Sequence, residues 1–243
     1  MARLTRVYHE TALKLEQAFC LSDVASHHLK NVLRVQSGQA VIVFNGDGYE
    51  YHGHITQLNK QGVWVVLTNA VTNSRESPLN IELAQGISRG ERMDYAIQKA
   101  VELGVSCIQP LWTERCGVKL EAERLNKRML HWQAVIISAC EQSGRAVLPQ
   151  LKSPIDLDQW LAQSSEAELR LVCSPHGGAA LPQMPYTRVA LLIGPEGGLS
   201  ETELNHAAAA GLYAWQIGPR ILRTDTAAVV ALSLVQASWG DFR

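Results

Sequence analysis

Leu192-Ile193-Gly194-Pro195-Glu196-Gly197-Gly198-Leu199-Ser200 and Ile217-Gly218-Pro219-Arg220-Ile221-Leu222-Arg223-Thr224-Asp225-Thr226-Ala227 are two glycine-bearing segments of one form. Each follows a short apolar run and leads into helix-forming sequence. The run before the first, residues 189–193, has no polar alternation, as expected of a strand covered on both faces. Ser200 and Glu203 stand at the S-x-x-E spacing of a capping box, which fixes a helix start. Glycines at a strand-to-helix turn let backbone N–H and C=O groups approach a flat ligand closely. Two such turns on neighbouring strands make one cleft. A tight turn serving no ligand would also account for Gly194, Gly197 and Gly198 taken alone; the second segment favours a ligand.

Working outward, the chain divides near residues 69–78. Residues 1–72 contain short β-rich runs at 40–44, 49–58 and 62–67, with turn chemistry in Asn45-Gly46-Asp47-Gly48 between the first two. An amphipathic stretch, residues 27–34, precedes them, and the whole reads as a small barrel. Asn73-Ser74-Arg75-Glu76-Ser77-Pro78 is polar and proline-terminated, a linker opening a second domain at 73–243. There, strand-like and helix-like runs alternate. Residues 79–87 form a strand, and 91–103 a helix with Met93, Ile97 and Val101 inward, closed by Gly104 in C′ style. Residues 105–111 form the next strand, followed by a long helix over about 121–141. Strands at 169–173, 189–193 and 213–217 complete an α/β sheet with helices on its faces. The last helix, 226–239, is apolar nearly all round, so every side of it must be covered, within the chain or across a dimer interface.

Composition narrows the function. The chain has 243 residues, 47% of them hydrophobic and 19% charged, in the range of a soluble globular protein. Its five cysteines are odd in number and hold no C-x-x-C, against a disulfide framework or a structural zinc site. No apolar signal region or membrane-length stretch is present, so the cytosol is the default compartment. Nothing in the sequence requires a metal, and His27 and His28 have no nearby ligand partner. No G-x-x-x-x-G-K-[ST] and no early G-x-G-x-x-G occur, against a P-loop or dinucleotide fold. Net charge is −1, little for a nucleic-acid binder, and residues 1–72 hold six Lys and Arg against five Asp and Glu. Position matters more than the total. Arg3, Arg6, Lys30 and Arg34 lie near the N-terminus, and Arg89, Arg92, Arg115, Lys119, Arg145, Arg220 and Arg223 at expected loop and helix ends. They build a local positive surface or are ordinary solvated charges. For the basic helix positions Arg124, Lys127, Arg128 and His131, a solvated face is the better account.

The two glycine segments together resemble the C-terminal signature of the SPOUT methyltransferases, and within them the ribosomal small subunit methyltransferase E family. Further blocks resemble the same family in order: Ser88-Arg89-Gly90-Glu91-Arg92-Met93-Asp94, Lys99-Ala100-Val101-Glu102-Leu103-Gly104-Val105, Thr113-Glu114-Arg115-Cys116 and Ala139-Cys140-Glu141-Gln142-Ser143-Gly144-Arg145. One departure is visible: the family often carries Glu where this chain has Asp225. The resemblance implies a PUA-like RNA-binding barrel over 1–72 and a SPOUT domain over 73–243, whose trefoil knot threads the C-terminal helix. It also implies a homodimer, S-adenosylmethionine as cofactor, and methylation of a uridine N3 in 16S rRNA on the assembled small ribosomal subunit.

On that reading the cofactor is held by Ile193, Gly194, Glu196, Gly197 and Gly198 of the first turn and by Ile217, Gly218, Ile221, Leu222 and Thr226 of the second. Arg3, Arg6, Arg34, Arg89 and Arg92 are candidates for contact with RNA. Uridine N3–H is an imide, protonated at neutral pH, so transfer needs proton removal and stabilisation of the resulting anion. Glu141 and Asp225 are candidate bases, Arg145 and Arg223 candidate electrostatic partners. Asp225 also belongs at a helix start for capping and dipole reasons alone, whereas Glu141 ends a long helix, where a carboxylate is unfavourable. Glu196 either steadies its loop through backbone N–H groups or faces a partner protomer. Two rival functions remain open: a SPOUT enzyme acting on another rRNA or tRNA position, and a non-catalytic RNA-binding assembly factor.

Overall fold

The computed structural model describes residues 4–117, 122–174 and 177–242. In chain order the elements begin with β1 (Thr5–Tyr8), β2 (Phe19–Cys20), α1 (Asp23–His27, continuing into a π-helical turn, His28–Val32), β3 (Ala40–Phe44), β4 (Tyr49–Asn59) and β5 (Gly62–Thr72). There follow β6 (Asn80–Gly86), α2 (Glu91–Glu102), β7 (Cys107–Trp112), α3 (Ala122–Ser143), β8 (Gln150–Leu151), β9 (Ile155–Asp156) and α4 (Leu157–Ala162). The last are β10 (Leu169–Cys173), β11 (Arg188–Ile193), α5 (Glu201–Ala209), β12 (Tyr213–Trp215) and α6 (Thr224–Trp239).

Two compact units result. The first is Met1–Glu76 together with Cys140–Leu148, so its boundary falls after the expected residue 72, and a later segment returns to it. The reason is a set of buried and half-buried polar contacts. Glu76 accepts two hydrogen bonds from Arg145 (2.9 and 2.7 Å) and one each from the backbone N–H of Ala146 and Val147. Asn73 Nδ2 donates to the Gly144 carbonyl at 2.9 Å. The unit's sheet has the order β1-β3-β4-β5-β2, antiparallel except for the β1–β3 pair. Val7, Leu29, Val43, Ile55, Val65 and Leu67 fill it, each no more than 1% exposed.

The second unit is Ser77–Ala139 with Pro149–Arg243. Its sheet runs β12-β10-β11-β6-β7-β8, with β9 beside β7, and every pairing is parallel. Parallel strands covered by helices read as unbroken apolar runs, and Val189, Ala190, Leu191, Leu192 and Ile193 of β11 are all buried. Helix α2 ends as expected. Gly104 takes φ +81, and the Gly104 and Val105 N–H groups close on Val101 and Ala100. A Cβ at Gly104 would meet the Gln236 amide of α6 at 2.6 Å, so the glycine also admits the last helix.

Several bounds differ from expectation: β5 runs on to Thr72, β7 begins at Cys107, β12 stops at Trp215, and α6 starts at Thr224. Helix α6 buries Ala228, Ala231, Leu232 and Val235, while Leu234 stays 38% exposed and Val229 and Val230 are half-buried. A single chain therefore does not cover all of it. Among the described residues no helix is long and apolar enough to cross a membrane.

Candidate active site

A cleft of about 310 Å³ opens at the carboxyl ends of three adjacent strands, β10, β11 and β12. Ligand sites in open parallel sheets lie outside these strand ends, and the volume is at the lower end for small-molecule sites. Strand β11 contributes the loop after Ile193. The Gly198 N–H closes it on the Pro195 carbonyl at 2.9 Å, with Gly198 at φ +68. Strand β12 contributes Trp215, and the connection after it Ile217, Gly218, Ile221 and Leu222.

The two turns are bound to each other. Thr224 Oγ1 donates to the Gly194 carbonyl at 2.6 Å and accepts from Gln85 Nε2 at 2.9 Å. Gln85, 1% exposed at the end of β6, also donates to the Gly86 carbonyl. The expected capping box is present and does more than start a helix. Ser200 Oγ accepts from the Glu203 N–H, and Glu203 Oε2 accepts from the Ser200 N–H at 2.8 Å. The other Glu203 oxygen accepts from the Glu114 N–H at 2.7 Å, which places the 113–116 loop against the first turn. Arg115 Nη1 then donates to the Gly197 carbonyl at 3.1 Å.

Of the residues expected to hold a cofactor, Ile193, Gly194, Glu196, Gly197, Gly198, Ile217, Gly218, Ile221 and Leu222 line this cleft; Thr226 is exposed and outside the lining, where Thr224 and Ala227 stand instead. Arg223 and Asp225 flank Thr224. Arg223 is exposed, and Asp225 keeps one buried carboxylate oxygen without a hydrogen-bond partner. The strand-end residues Cys173 and Ser174, with Arg115 and Arg220, also line the cleft. Cys173 and Ser174 end β10 shortly before Gly177-Gly178, but among the described residues no helix follows before β11, so this strand end does not share the form of the two glycine turns. Burial pushes the Cys173 thiol up to about 12, which leaves it an inert wall.

Glu196 steadies its loop. Its carboxylate accepts from the Arg89 N–H at 2.8 Å and pairs with Arg92 at 3.4 Å. Burial raises the Glu196 pKa, but the Arg89 N–H and the Arg92 charge outweigh it and hold the carboxyl below its ordinary value. Arg89 and Arg92 are exposed beside that loop.

The remaining candidates belong to the first unit. Glu141 accepts from the Tyr8 N–H at 3.0 Å, and burial, the larger effect, pushes its pKa up. Arg145 is 4% exposed and held by Glu76 at 2.7 Å. Arg6 pairs with Glu50, donates to the Arg145 carbonyl and lies over the Phe44 ring, with 7% of its side chain exposed. Its charge is thus directed inward, onto partners of the first unit. Arg34 is exposed with φ 51, and Arg3 lies outside the described residues. Among the described residues no cluster of His, Cys, Asp and Glu could hold a metal.

Comparison with known proteins gives this geometry a family. Residues 75–236 match the model of an RNA methyltransferase domain, and residues 21–68 that of an RNA methyltransferase PUA domain. The ribosomal RNA small subunit methyltransferase E of Buchnera aphidicola (subspecies Schizaphis graminum) is 35% identical over 98% of each chain. The chain belongs to the ribosomal RNA small subunit methyltransferase E family. The fold of this family member is also seen in solved structures. The Neisseria gonorrhoeae ribosomal RNA small subunit methyltransferase E, bound to S-adenosyl methionine, is 39% identical with a TM-score of 0.92, covering 99% of this chain and 100% of that one. A Legionella pneumophila protein in complex with its cofactor SAM is 42% identical with a TM-score of 0.95 over the same shares.

Proposed function

We propose that this chain transfers the methyl group of S-adenosylmethionine to N3 of a uridine in 16S rRNA of the small ribosomal subunit. The observation that carries the reading is the glycine-walled cleft at three parallel strand ends, in a chain whose fold matches a cofactor-bound family member along nearly its whole length.

The residues present fit such a cofactor. Apolar walls from Ile193, Leu199, Ile217 and Leu222 suit a flat purine, and the glycine turns offer backbone groups with no side chain in the way. A Cβ at Gly194 would crowd the Leu199 N–H at 2.9 Å, and one at Gly197 would press on Arg115 Cβ at 2.9 Å, so these two positions of the first turn have no room for a side chain. When bound, the cofactor supplies an electrophilic methyl group on a sulfonium.

The protein's part is to orient the uracil, remove its proton and stabilise the anion. Asp225, one residue from the cleft-lining Thr224, is assigned the proton of N3, and the exposed guanidinium of Arg223 the developing negative charge on the ring. Glu141 and Arg145 are assigned no chemical step, since both are engaged by backbone or carboxylate partners in the first unit. The target uridine is unpaired, because pairing buries N3. The near-neutral charge supports recognition of a preformed RNA shape over electrostatic capture of flexible RNA. The partly uncovered α6 supports a homodimer, and the family resemblance supports the trefoil knot and a cytosolic setting.

The test is methyl transfer from labelled S-adenosylmethionine to purified small subunits and to protein-free 16S rRNA, side by side. Faster initial transfer to subunits is expected. Equal rates would remove the assembled subunit from the proposal, and no transfer to either would remove the activity.

A further inference from the structure

Two guanidinium groups, of Arg115 and Arg220, line the cleft without an acidic partner among the described ion pairs. Arg115 stands on the connection after β7, and Arg220 on the connection after β12. In the sheet order β12-β10-β11-β6-β7 these strands lie two places to either side of β11. The two arginines therefore converge on the Gly194–Leu199 turn from opposite sides, and both line the cleft. Both are exposed, and none of the ion pairs among the described residues includes either one. The nearby acid Glu196 is paired with Arg92, and Glu203 has both oxygens on backbone N–H groups.

Arg115 is also held in place. The Glu114 N–H is fixed by the buried Glu203, and Arg115 uses one of its five N–H groups on the Gly197 carbonyl. Its fork is anchored on the cofactor turn, and among the described residues no acid pairs with it.

We propose that Arg115 and Arg220 form a phosphate clamp at the mouth of the cleft, gripping the RNA backbone on either side of the nucleotide to be methylated. The clamp rests on the methyltransferase reading above. Arginine suits it because a planar, permanently charged fork matches phosphate oxygens bidentately. Placement at the rim suits phosphates, which stay outside when a base enters a pocket. The clamp also explains how a chain of net charge −1 holds a polyanion at the point of reaction: the useful cations are few, local and left without carboxylates.

The experiment uses the full chain with Arg115→Gln and Arg220→Gln, singly and combined. It measures methyl transfer to small subunits across a potassium chloride series and S-adenosylmethionine affinity by calorimetry. Each single variant is expected to lower kcat/KM about tenfold at low salt. The slope of log kcat/KM against log salt should become shallower by about 0.7 for each charge removed, with cofactor affinity within twofold of the parent for Arg220→Gln; Arg115→Gln also loses the bond to the Gly197 carbonyl, so it is read by its slope and not by affinity. Arg115→Lys and Arg220→Lys should recover the slope but only part of the rate. An unchanged slope would overturn the clamp, and cofactor affinity falling in step with rate in Arg220→Gln would overturn it by making Arg220 a ligand of the cofactor carboxylate instead. If the unaltered chain transferred no methyl group to subunits, the functional reading would fail and the clamp with it.

Discussion

Replacing Thr224 with valine tests how the two glycine turns are held as one site. The side chains have nearly the same volume, so the change opens little cavity and isolates the hydroxyl. That hydroxyl donates to the Gly194 carbonyl at 2.6 Å and accepts from Gln85 at 2.9 Å, with Thr224 only 6% exposed. Each lost bond costs about 0.5–1.5 kcal/mol net. Gln85 keeps its second acceptor, the Gly86 carbonyl, which limits the penalty on that side. A total near 2 kcal/mol lowers Tm by about 4–8 °C for a chain of this size. Because the lost bond orients the Gly194 peptide in the cleft wall, cofactor affinity should weaken about tenfold, roughly 1.4 kcal/mol. Thr224→Ser should restore most of the affinity. Thr226→Val, the same chemistry two residues on at an exposed position, should stay within about 0.5 kcal/mol of the parent and leave affinity unchanged. Differential scanning calorimetry and isothermal titration read both effects. A Thr224→Val protein with parental Tm and parental affinity would refute the coupling.

Gly197→Val should abolish S-adenosylmethionine binding in a folded protein, since even a Cβ there meets Arg115 at 2.9 Å; titration showing unchanged affinity would count against the cradle. Arg223→Ala should reduce kcat at least tenfold with cofactor affinity intact, as expected of a charge acting on the uracil anion; an equal fall in affinity would make it a cofactor ligand. Glu196 has a lowered pKa in the folded chain, so its stabilising contribution is fully present above its ordinary value of 4.5 and is lost as pH falls through the depressed value. The Tm gap between the parent and Glu196→Gln should therefore be constant from about pH 6 upward and close in acid, and a gap independent of pH would contradict the assignment.

Local signals were legible in the sequence, and long-range partners were not. The unbroken apolar run of β11, the Ser200–Glu203 box and the Gly104 helix end each rest on residues within a few positions of one another, and each is found where expected. Helix α6 starts at Thr224, two residues before the expected Thr226, and the Thr224 hydroxyl has its partner thirty positions away at Gly194. Arg145 and Glu141 read as loose chemistry near a helix end. Their partners are Glu76 and the Tyr8 N–H, at separations of 69 and 133 residues, which no spacing rule reaches. Arg115 lay inside a recognised block, yet its place at the cleft depends on Glu203, 89 residues from Glu114. The third wall of the cleft, at Cys173 and Ser174, stands before Gly177-Gly178 but leads into no helix among the described residues, so its place in the site emerges only from the strand order.

The central claim is methyl transfer to N3 of one uridine, and mass mapping of 16S rRNA tests it most directly. Undermodified small subunits would be incubated with the protein and S-adenosylmethionine, the rRNA digested, and the nucleosides and fragments resolved by tandem mass spectrometry. One new methyl group is expected, on the base of a single unpaired uridine at N3. A methyl group on a ribose or on another base, or no new methyl group in a protein shown to bind the cofactor, would contradict it.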